Sequence, residues 1–147
     1  MQRKKAPVSR DSSECNCLAL RQAARHTSQI YDRHLAAEGL RTTQYSILAK
    51  LGRLGPLSIN ELAKAMVMDR TTLGRAIRPL ERERLLVIGA GHDGRTRSLR
   101  LTPAGEARLK AAASRWRQAQ KEFEAAYGAA DAAALRTALQ RVVSATQ

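Results

Sequence analysis

The sequence predicts a mainly α-helical protein with one small β-hairpin. Aromatic residues make up only 3% of the 147 residues, so the core must be built from Leu, Ala, Ile and Val, which favours helix packing over a β-sandwich. Most apolar residues recur at the spacing of one helix face. The period changes to that of strands only between Leu85 and Leu101, where glycines separate two short apolar segments.

Two short helices are predicted before the hairpin. Ser58 and Glu61 form a capping box, and Leu57 can pack on Leu62, so the first helix should begin near Ile59.

The second helix should have Asp69 as its N-cap and Leu73, Ile77 and Leu80 as its buried stripe. Its other faces carry hydroxyl and guanidinium groups, on Arg70, Thr71, Thr72, Arg75 and Arg78. Such groups bond to the phosphates and base edges of nucleic acid. Pro79 removes one intrahelical hydrogen bond, so we expect a bend that leaves the N-terminal half straight and presented.

The hairpin is predicted from a change of pattern after the second helix. One strand covers the segment LLVI, which begins at Leu85, and a returning strand covers residues 98–101. Gly89, Gly91 and Gly94 allow a tight reversal between them. Two helices followed by a hairpin with a basic tip form a winged helix-turn-helix.

The charge of the chain favours a polyanionic partner. The formal net charge is +13, and the arginines cluster on the second short helix and on the hairpin tip.

No apolar segment approaches the roughly 18 residues that a membrane span needs, and no signal peptide opens the chain, so we expect a cytoplasmic protein without membrane contact. Cys15 and Cys17 are too few and too close for a disulfide framework. No phosphate loop, nucleophile elbow or paired-carboxylate motif indicates an enzyme, and we expect no cofactor.

The hairpin region is flanked by longer helices. We expect a mobile basic arm over residues 1–13, which either touches DNA phosphates or only adds solubility. A first helix should run from Cys15 to about Glu38 and stop at Gly39. Thr42 or Thr43 should be the N-cap of the next helix. Its predicted core residues are Ile47, Leu48, Leu51 and Leu54.

The C-terminal part should contain two helices. Thr102 and Pro103 start a helix that can reach Tyr127 and end at Gly128, and Asp131 should cap the last one. The long helix carries an apolar stripe formed by Leu109, Ala112, Trp116, Ala119, Phe123 and Ala126. One small domain cannot cover a stripe of this length, so we expect a second copy to bury part of it. The predicted division is a dimerisation region over residues 14–41 and 102–147, and a winged helix-turn-helix lobe over residues 42–101.

The chain resembles the MarR (multiple antibiotic resistance regulator) family of bacterial transcription factors. The resemblance rests on INELAxxMxxDRTTLxRxIxxLExxxLL followed by DGRTRSLRLTPAGE. It implies a DNA-binding regulator that responds to small phenolic or carboxylate ligands. The two-fold symmetry of the expected homodimer then requires an inverted repeat in double-stranded DNA. One departure is Arg84, which stands where the family usually places the glycine that ends the recognition helix.

Within this family the DNA contacts can be assigned to named residues. Thr71, Thr72 and Arg75 are the candidates for the major groove, and Arg95 at the wing tip is the candidate for the minor groove or a phosphate. Asp93 should fix the wing and the Arg95 guanidinium by hydrogen bonds, because phosphates would repel its carboxylate. The full predicted DNA-binding set is Arg70, Thr71, Thr72, Arg75, Arg78, Asp93, Arg95 and Arg97.

A second resemblance concerns the first helix. Cys17 and Tyr31, fourteen residues apart, resemble the organic-hydroperoxide-sensing branch of the family, in which a reactive cysteine lies near the start of this helix. Fourteen residues separate the two side chains by roughly 21 Å along one helix, so they would meet only across a dimer. Arg21 stands where that branch has a second tyrosine, although a guanidinium can also stabilise a thiolate. The alternative is that Cys17 is a small buried hydrophobic residue.

The remaining polar candidates point to an effector site instead of a metal. His26, Tyr31, His34 and Trp116 could line a cleft between the dimer helices and the DNA-binding lobe, although each could equally be structural. Their spacing assembles no tetrahedral set of metal ligands. Three functions therefore stay open: a repressor released by a small molecule, a peroxide-sensing repressor that uses Cys17, and an architectural DNA-binding protein without an effector.

Overall fold

The computed structural model describes residues 14–146, and the predicted basic arm over residues 1–13 lies outside that range. The chain forms six helices and three strands within it. The helices are α1 (Asn16–Leu35), α2 (Thr42–Leu54), α3 (Ile59–Met66), α4 (Arg70–Arg82), α5 (Pro103–Tyr127) and α6 (Ala129–Ala145). The strands are β1 (Leu57–Ser58), β2 (Leu86–Ala90) and β3 (Arg97–Leu101). A short 3₁₀ turn, Ala36–Glu38, continues α1 as far as Gly39, which adopts φ +69° as the predicted stop.

The predicted caps on both sides of the hairpin are confirmed. The Ser58 hydroxyl accepts the Glu61 N–H at 3.2 Å, and the Glu61 carboxylate accepts the Ser58 N–H at 2.7 Å. Asp69 accepts the Thr72 N–H at 2.7 Å. Thr102 accepts the Gly105 N–H at 3.0 Å. These short-range bonds satisfy N–H groups that have no partner within their own helices.

Three local predictions are wrong. Helix α2 has Arg41 as its N-cap, and its first N–H, on Thr42, donates to the Asp32 carboxylate of α1 at 2.7 Å. Helix α6 begins at Ala129, so Asp131 lies within its first turn and is not the cap. Leu54 is 49% exposed and does not join the core, because α2 ends there.

The core lies where α2, α3 and α4 meet the sheet and the first half of α5. Its largest fully buried side chains are Leu35, Ile47, Leu48, Leu62, Leu73, Leu80, Leu85, Leu86 and Leu99. The sheet is antiparallel with the order β1-β3-β2, and Leu99 of the central strand pairs with Leu57 on one side and Ile88 on the other. The two-residue strand β1 was missed because it is too short to show a period.

Two helices end on residues other than glycine in the left-handed region. Val67 after α3 has φ +52°, and Arg84 after α4 has φ +56°. At the second site the Leu85 N–H donates to the Leu80 carbonyl and the Arg84 N–H to the Glu81 carbonyl. These bonds form a Schellman motif with arginine at its left-handed position. Arg84 therefore takes the left-handed conformation that a glycine at this position would adopt.

Helix α5 connects α1 to the end of α4. It packs along α1, and the Arg108 guanidinium donates to the Glu38 carbonyl at 3.0 Å. The same nitrogen lies 3.4 Å from the Glu83 carboxylate, at the end of α4. Arg108 therefore contacts both the end of the α1 segment and the end of α4.

The outer helices leave apolar side chains uncovered. Leu20 of α1 is exposed, and so are three apolar side chains on α6: Leu139, Val142 and Val143. Among the described residues, no helix is both long and apolar enough to cross a membrane.

Candidate nucleic-acid interface

Helix α4 presents its polar residues to solvent because its apolar stripe is buried in the core. Leu73, Ile77 and Leu80 are at most 3% exposed, whereas every predicted contact residue of this helix is exposed. Thr72 has a second role, since its hydroxyl donates to the Asp69 carboxylate at 2.8 Å. Because this proton is already engaged in the hydrogen bond to the N-cap residue, Thr71 and Arg75 are the better candidates for reading bases.

Asp93 organises the wing, which is the turn between β2 and β3. One of its carboxylate oxygens accepts the N–H groups of Arg95 and Thr96, each at 3.0 Å, and the Thr96 hydroxyl at 2.8 Å. These three bonds hold the pKa of Asp93 down at about 2, against an ordinary 3.8. The predicted role of Asp93 in the wing is confirmed for the main chain. The predicted bond to the Arg95 guanidinium is not what forms, because the carboxylate bonds to the Arg95 main-chain N–H.

Gly94 and Gly91 complete this turn in different ways. Gly94 adopts φ +68°, a conformation that side chains disfavour. A Cβ on Gly91 would lie 2.9 Å from the main-chain oxygen of Thr96. Gly89, predicted to belong to the reversal, lies in β2 opposite Ser98.

The predicted arginines fall into two separate groups. Arg70, the first residue of α4, lines a groove of about 250 Å³ together with Arg95 and Arg97 of the wing. The other lining residues are Ser58, Ile59, Asn60 and Thr96. Arg75 and Arg78 line a different surface depression of about 480 Å³ along α4, with Pro79, Glu81 and Arg82.

Sequence reasoning missed Asn60 and Arg82 as members of these surfaces. Arg82 continues the spacing of Arg75 and Arg78 on α4, so the helix period could have found it. Asn60 had no such signal, because only the folding of the wing over the start of α3 brings it beside Arg70.

Cys17 is exposed near the start of α1 within the single chain, which does not support the alternative that it is a buried hydrophobic residue there. The Nε of Arg21 donates to its sulfur at 3.4 Å. The two residues are one helical turn apart, which is why their side chains meet. Cys15 is the N-cap of α1, and its sulfur accepts the Leu18 N–H at 3.4 Å.

Tyr31 is engaged within its own chain. Its hydroxyl donates to the side-chain oxygen of Gln120 on α5. Burial is the main cause that raises the pKa of Tyr31, and the nearby Glu124 carboxylate raises it further. The phenol is therefore protonated, and its proton is engaged by Gln120 of the same chain.

The predicted effector residues do not converge on one cleft in the single chain. His34 lies 2.6 Å from the Glu122 carboxylate, which also accepts the Arg33 guanidinium at 2.6 Å. Hydrogen bonds from these two partners lower the pKa of Glu122, and the bond with His34 is the larger cause. Trp116 stacks on Tyr45, with ring centroids 6.2 Å apart. His26 is exposed on α1.

A different groove opens beside Trp116. It has a volume of about 500 Å³, lies between α2 and α5, and includes Tyr45 in its wall. Leu101, Leu109 and Ala113 are among its apolar lining, with Arg53, Lys110 and Glu106 as its charged lining. Burial raises the pKa of Tyr45, so its phenol is a neutral donor there. Among residues 14–146, no three His, Cys, Asp or Glu side chains are grouped as metal ligands.

Comparison with known proteins identifies the family. Residues 40–86 match the MarR family model. The chain is 36% identical to the transcriptional regulator MosR from M. tuberculosis, solved in complex with DNA. That similarity covers 90% of this chain and 96% of MosR, with a TM-score of 0.80.

Two further solved structures share the fold. A probable transcriptional regulator from Pseudomonas aeruginosa is 28% identical over 88% of this chain and 98% of its own, with a TM-score of 0.80. PcaV from Streptomyces coelicolor was solved with its natural ligand. It is 22% identical over 97% of this chain and 100% of its own, with a TM-score of 0.82. No curated protein sequence matches the chain. With its helix-turn-helix, its ordered wing and this similarity over nearly its whole length, the chain belongs to the MarR family of DNA-binding transcriptional regulators.

Proposed function

We propose that the protein is a sequence-specific repressor that binds an inverted repeat as a homodimer and leaves DNA when a small molecule binds. The observation that carries the proposal is the exposed polar face of α4, which stands beside a wing whose main chain Asp93 holds in place. Thr71 and Arg75 would read bases in the major groove.

The uncovered apolar residues support the homodimer. Leu139, Val142 and Val143 on α6 and Leu20 on α1 lie outside the core of the single chain. A two-fold axis through these outer helices would bury them and present two α4 helices to DNA. Two such helices read half-sites about one helical turn apart.

The groove between α2 and α5 supports an effector of the aromatic carboxylate class. Its apolar walls suit a ring, and Arg53 and Lys110 suit a carboxylate. The fold relative BpsR from Bordetella bronchiseptica, 22% identical, has its DNA binding regulated by 6-hydroxynicotinic acid. Because α2 and α5 belong to different halves of the molecule, a ligand between them would alter the angle of the DNA-binding lobe.

The test is selection of DNA by the wild-type protein from a randomised duplex pool. We expect enrichment of an inverted repeat, and we expect Arg75→Ala to relax the base preference at one position of each half-site. Benzoate and 4-hydroxybenzoate then serve as effector probes, with the double variant Arg53→Ala/Lys110→Ala as the matched control. Equal affinity for selected and random duplexes would contradict the proposal and favour an architectural DNA-binding protein.

A second candidate function, thiol-based peroxide sensing, is favoured by the exposure of Cys17 and by its contact with Arg21. An organic hydroperoxide transfers one oxygen atom to the Cys17 sulfur, so that thiol and hydroperoxide become sulfenic acid and alcohol. We expect such a protein to lose DNA affinity on oxidation, and Cys17→Ser to abolish that loss while Cys15→Ser retains it. If mass spectrometry shows that Cys17 is oxidised and the DNA affinity is unchanged, this function is excluded.

A further inference from the structure

A single side chain, Arg108, joins the ends of two helices to a third. It lies in the first half of α5, and one of its guanidinium nitrogens donates to the Glu38 carbonyl at 3.0 Å and lies 3.4 Å from the Glu83 carboxylate. Glu38 ends the 3₁₀ turn that continues α1, and Glu83 is the C-cap of α4. The guanidinium therefore stands at the point where the ends of α1 and α4 meet α5.

Both partners of this guanidinium carry negative charge. The Glu38 carbonyl ends a helical segment, where no later turn supplies an N–H and where the negative end of the helix dipole attracts a cation. Glu83 brings a full charge to the end of α4. Its side chain is 47% exposed, so this ion pair is the weaker of the two contacts, and the charge-assisted bond to the carbonyl is the stronger.

Helix α4 packs on α2, α3 and β2, so its direct link to α5 lies at its C-terminal end. There Thr102, the N-cap of α5, bonds to the carbonyls of Arg84 and Leu85, which follow the helix. Within residues 14–146, Arg108 is the α5 side chain whose polar contact reaches the C-cap of α4 itself. Its two contacts therefore restrain the angle of α4 against α1 and α5.

A small change of this angle matters to a dimer on DNA. Helix α4 has 13 residues and is therefore roughly 20 Å long. A tilt of about 5° about its C-terminal end moves its first residue by about 1.7 Å. In a two-fold dimer the two helices move in opposite directions, so their separation changes by about 3.4 Å, which is the rise of one base pair.

We propose that Arg108 determines the half-site spacing that the homodimer accepts, because it fixes the angle of α4 against α1 and α5. This inference rests on the proposed function and adds a positioning residue that acts through α4. The base preference within one half-site depends on the side chains of α4 and is a separate property. Loss of the Arg108 contacts should therefore broaden the accepted spacing and leave the preferred bases unchanged.

The test compares three duplexes. One is selected by the wild-type protein from a randomised pool, and in the others the spacer between the half-sites is one base pair longer or shorter. Fluorescence anisotropy gives the affinities, and the spacing selectivity is the ratio of affinities for selected and altered spacing within one protein. A general change in DNA affinity, such as the effect of a removed charge, cancels in this ratio. We expect a selectivity of about a hundredfold for wild type and about tenfold for Arg108→Met, which keeps an aliphatic side chain.

Two further variants separate this link from packing in general. Glu83→Gln removes only the ion pair to α4, so the selectivity should fall about threefold, and adding it to Arg108→Met should cause no further loss. Arg115→Met is the matched control, since Arg115 lies two turns along the same face of α5 and contacts the Glu38 carboxylate at 3.7 Å. In the described part of the chain this ion pair does not extend to α4, so the control should keep the wild-type selectivity.

A second selection, by Arg108→Met from randomised half-sites, should recover the wild-type bases. A wild-type selectivity for Arg108→Met, an equal loss for Arg115→Met, or a changed base preference would overturn the inference. If Arg108→Met does not fold, Glu83→Gln decides, because its side chain is exposed, and an unchanged selectivity would again overturn the inference. A wild-type protein that enriches no inverted repeat would instead contradict the proposed function.

Discussion

Gly105 of α5 lies directly against the main-chain carbonyl of Leu85, and a Cβ on Gly105 would stand 1.9 Å from that oxygen. The same carbonyl accepts the Thr102 N–H at 3.1 Å, and the Thr102 hydroxyl donates to the Arg84 carbonyl at 2.6 Å. The end of α4 is thus held on the start of α5 by contacts that leave no room for a side chain.

Gly105→Ala should therefore destabilise the protein by about 3 kcal/mol or more, because backbone must move to admit the methyl group. The matched control is Gly74→Ala in α4, where a Cβ meets nothing within 4 Å. There the same substitution should stabilise by about 0.5–1 kcal/mol, since alanine favours a helix. Urea unfolding monitored by circular dichroism measures both, and equal effects of the two substitutions would contradict the close contact.

Val67→Gly should stabilise the protein by about 0.5–1 kcal/mol, because a β-branched residue is strained in the left-handed region. Val67 has φ +52° and is 65% exposed, so little apolar burial is lost. Val87→Gly in β2 is the control and should destabilise, because its backbone is extended and its side chain is half-buried. A lower thermal midpoint for Val67→Gly than for wild type would show that no strain is relieved.

The order of the wing should depend on pH through Asp93. Its pKa falls from 3.8 to about 2 on folding, so the carboxylate stabilises the wing above pH 3.8. This contribution is lost as pH falls through the folded pKa, toward pH 2. The amide resonances of Arg95 and Thr96 should shift together with a midpoint near that value, and Asp93→Asn should remove the transition. A midpoint near 4 would mean that the three hydrogen bonds do not form in solution.

Leu139→Asp should convert the proposed homodimer to monomer, because it places a charge in the apolar face proposed as the interface. Leu54→Asp is the control, since Leu54 is comparably exposed but lies at the end of α2, outside the proposed interface. Light scattering coupled to size exclusion should give a dimer mass for wild type and Leu54→Asp and a monomer mass for Leu139→Asp. A monomeric wild type at micromolar concentration would contradict the interface.

Much of the fold follows from signals that act within four residues. Ser58 with Glu61, Asp69 with Thr72, and Thr102 with Pro103 each define the start of a helix through bonds to the next turn. The end of α5 at Gly128 could likewise be predicted from the sequence. These interactions involve neighbours in the chain, so their geometry is the same wherever the helix packs.

The sequence by itself thus determined the helix-turn-helix, the wing and the identity of the exposed arginines. Only the tertiary structure decided which distant groups meet. It assigned the first N–H of α2 to Asp32, bonded Tyr31 to Gln120, and placed β1 beside β3. It also separated the arginines into two groups, because folding the wing over α3 brings Arg95 and Arg97 to Arg70. Such contacts depend on how whole elements pack, and no local pattern of residue types records that packing.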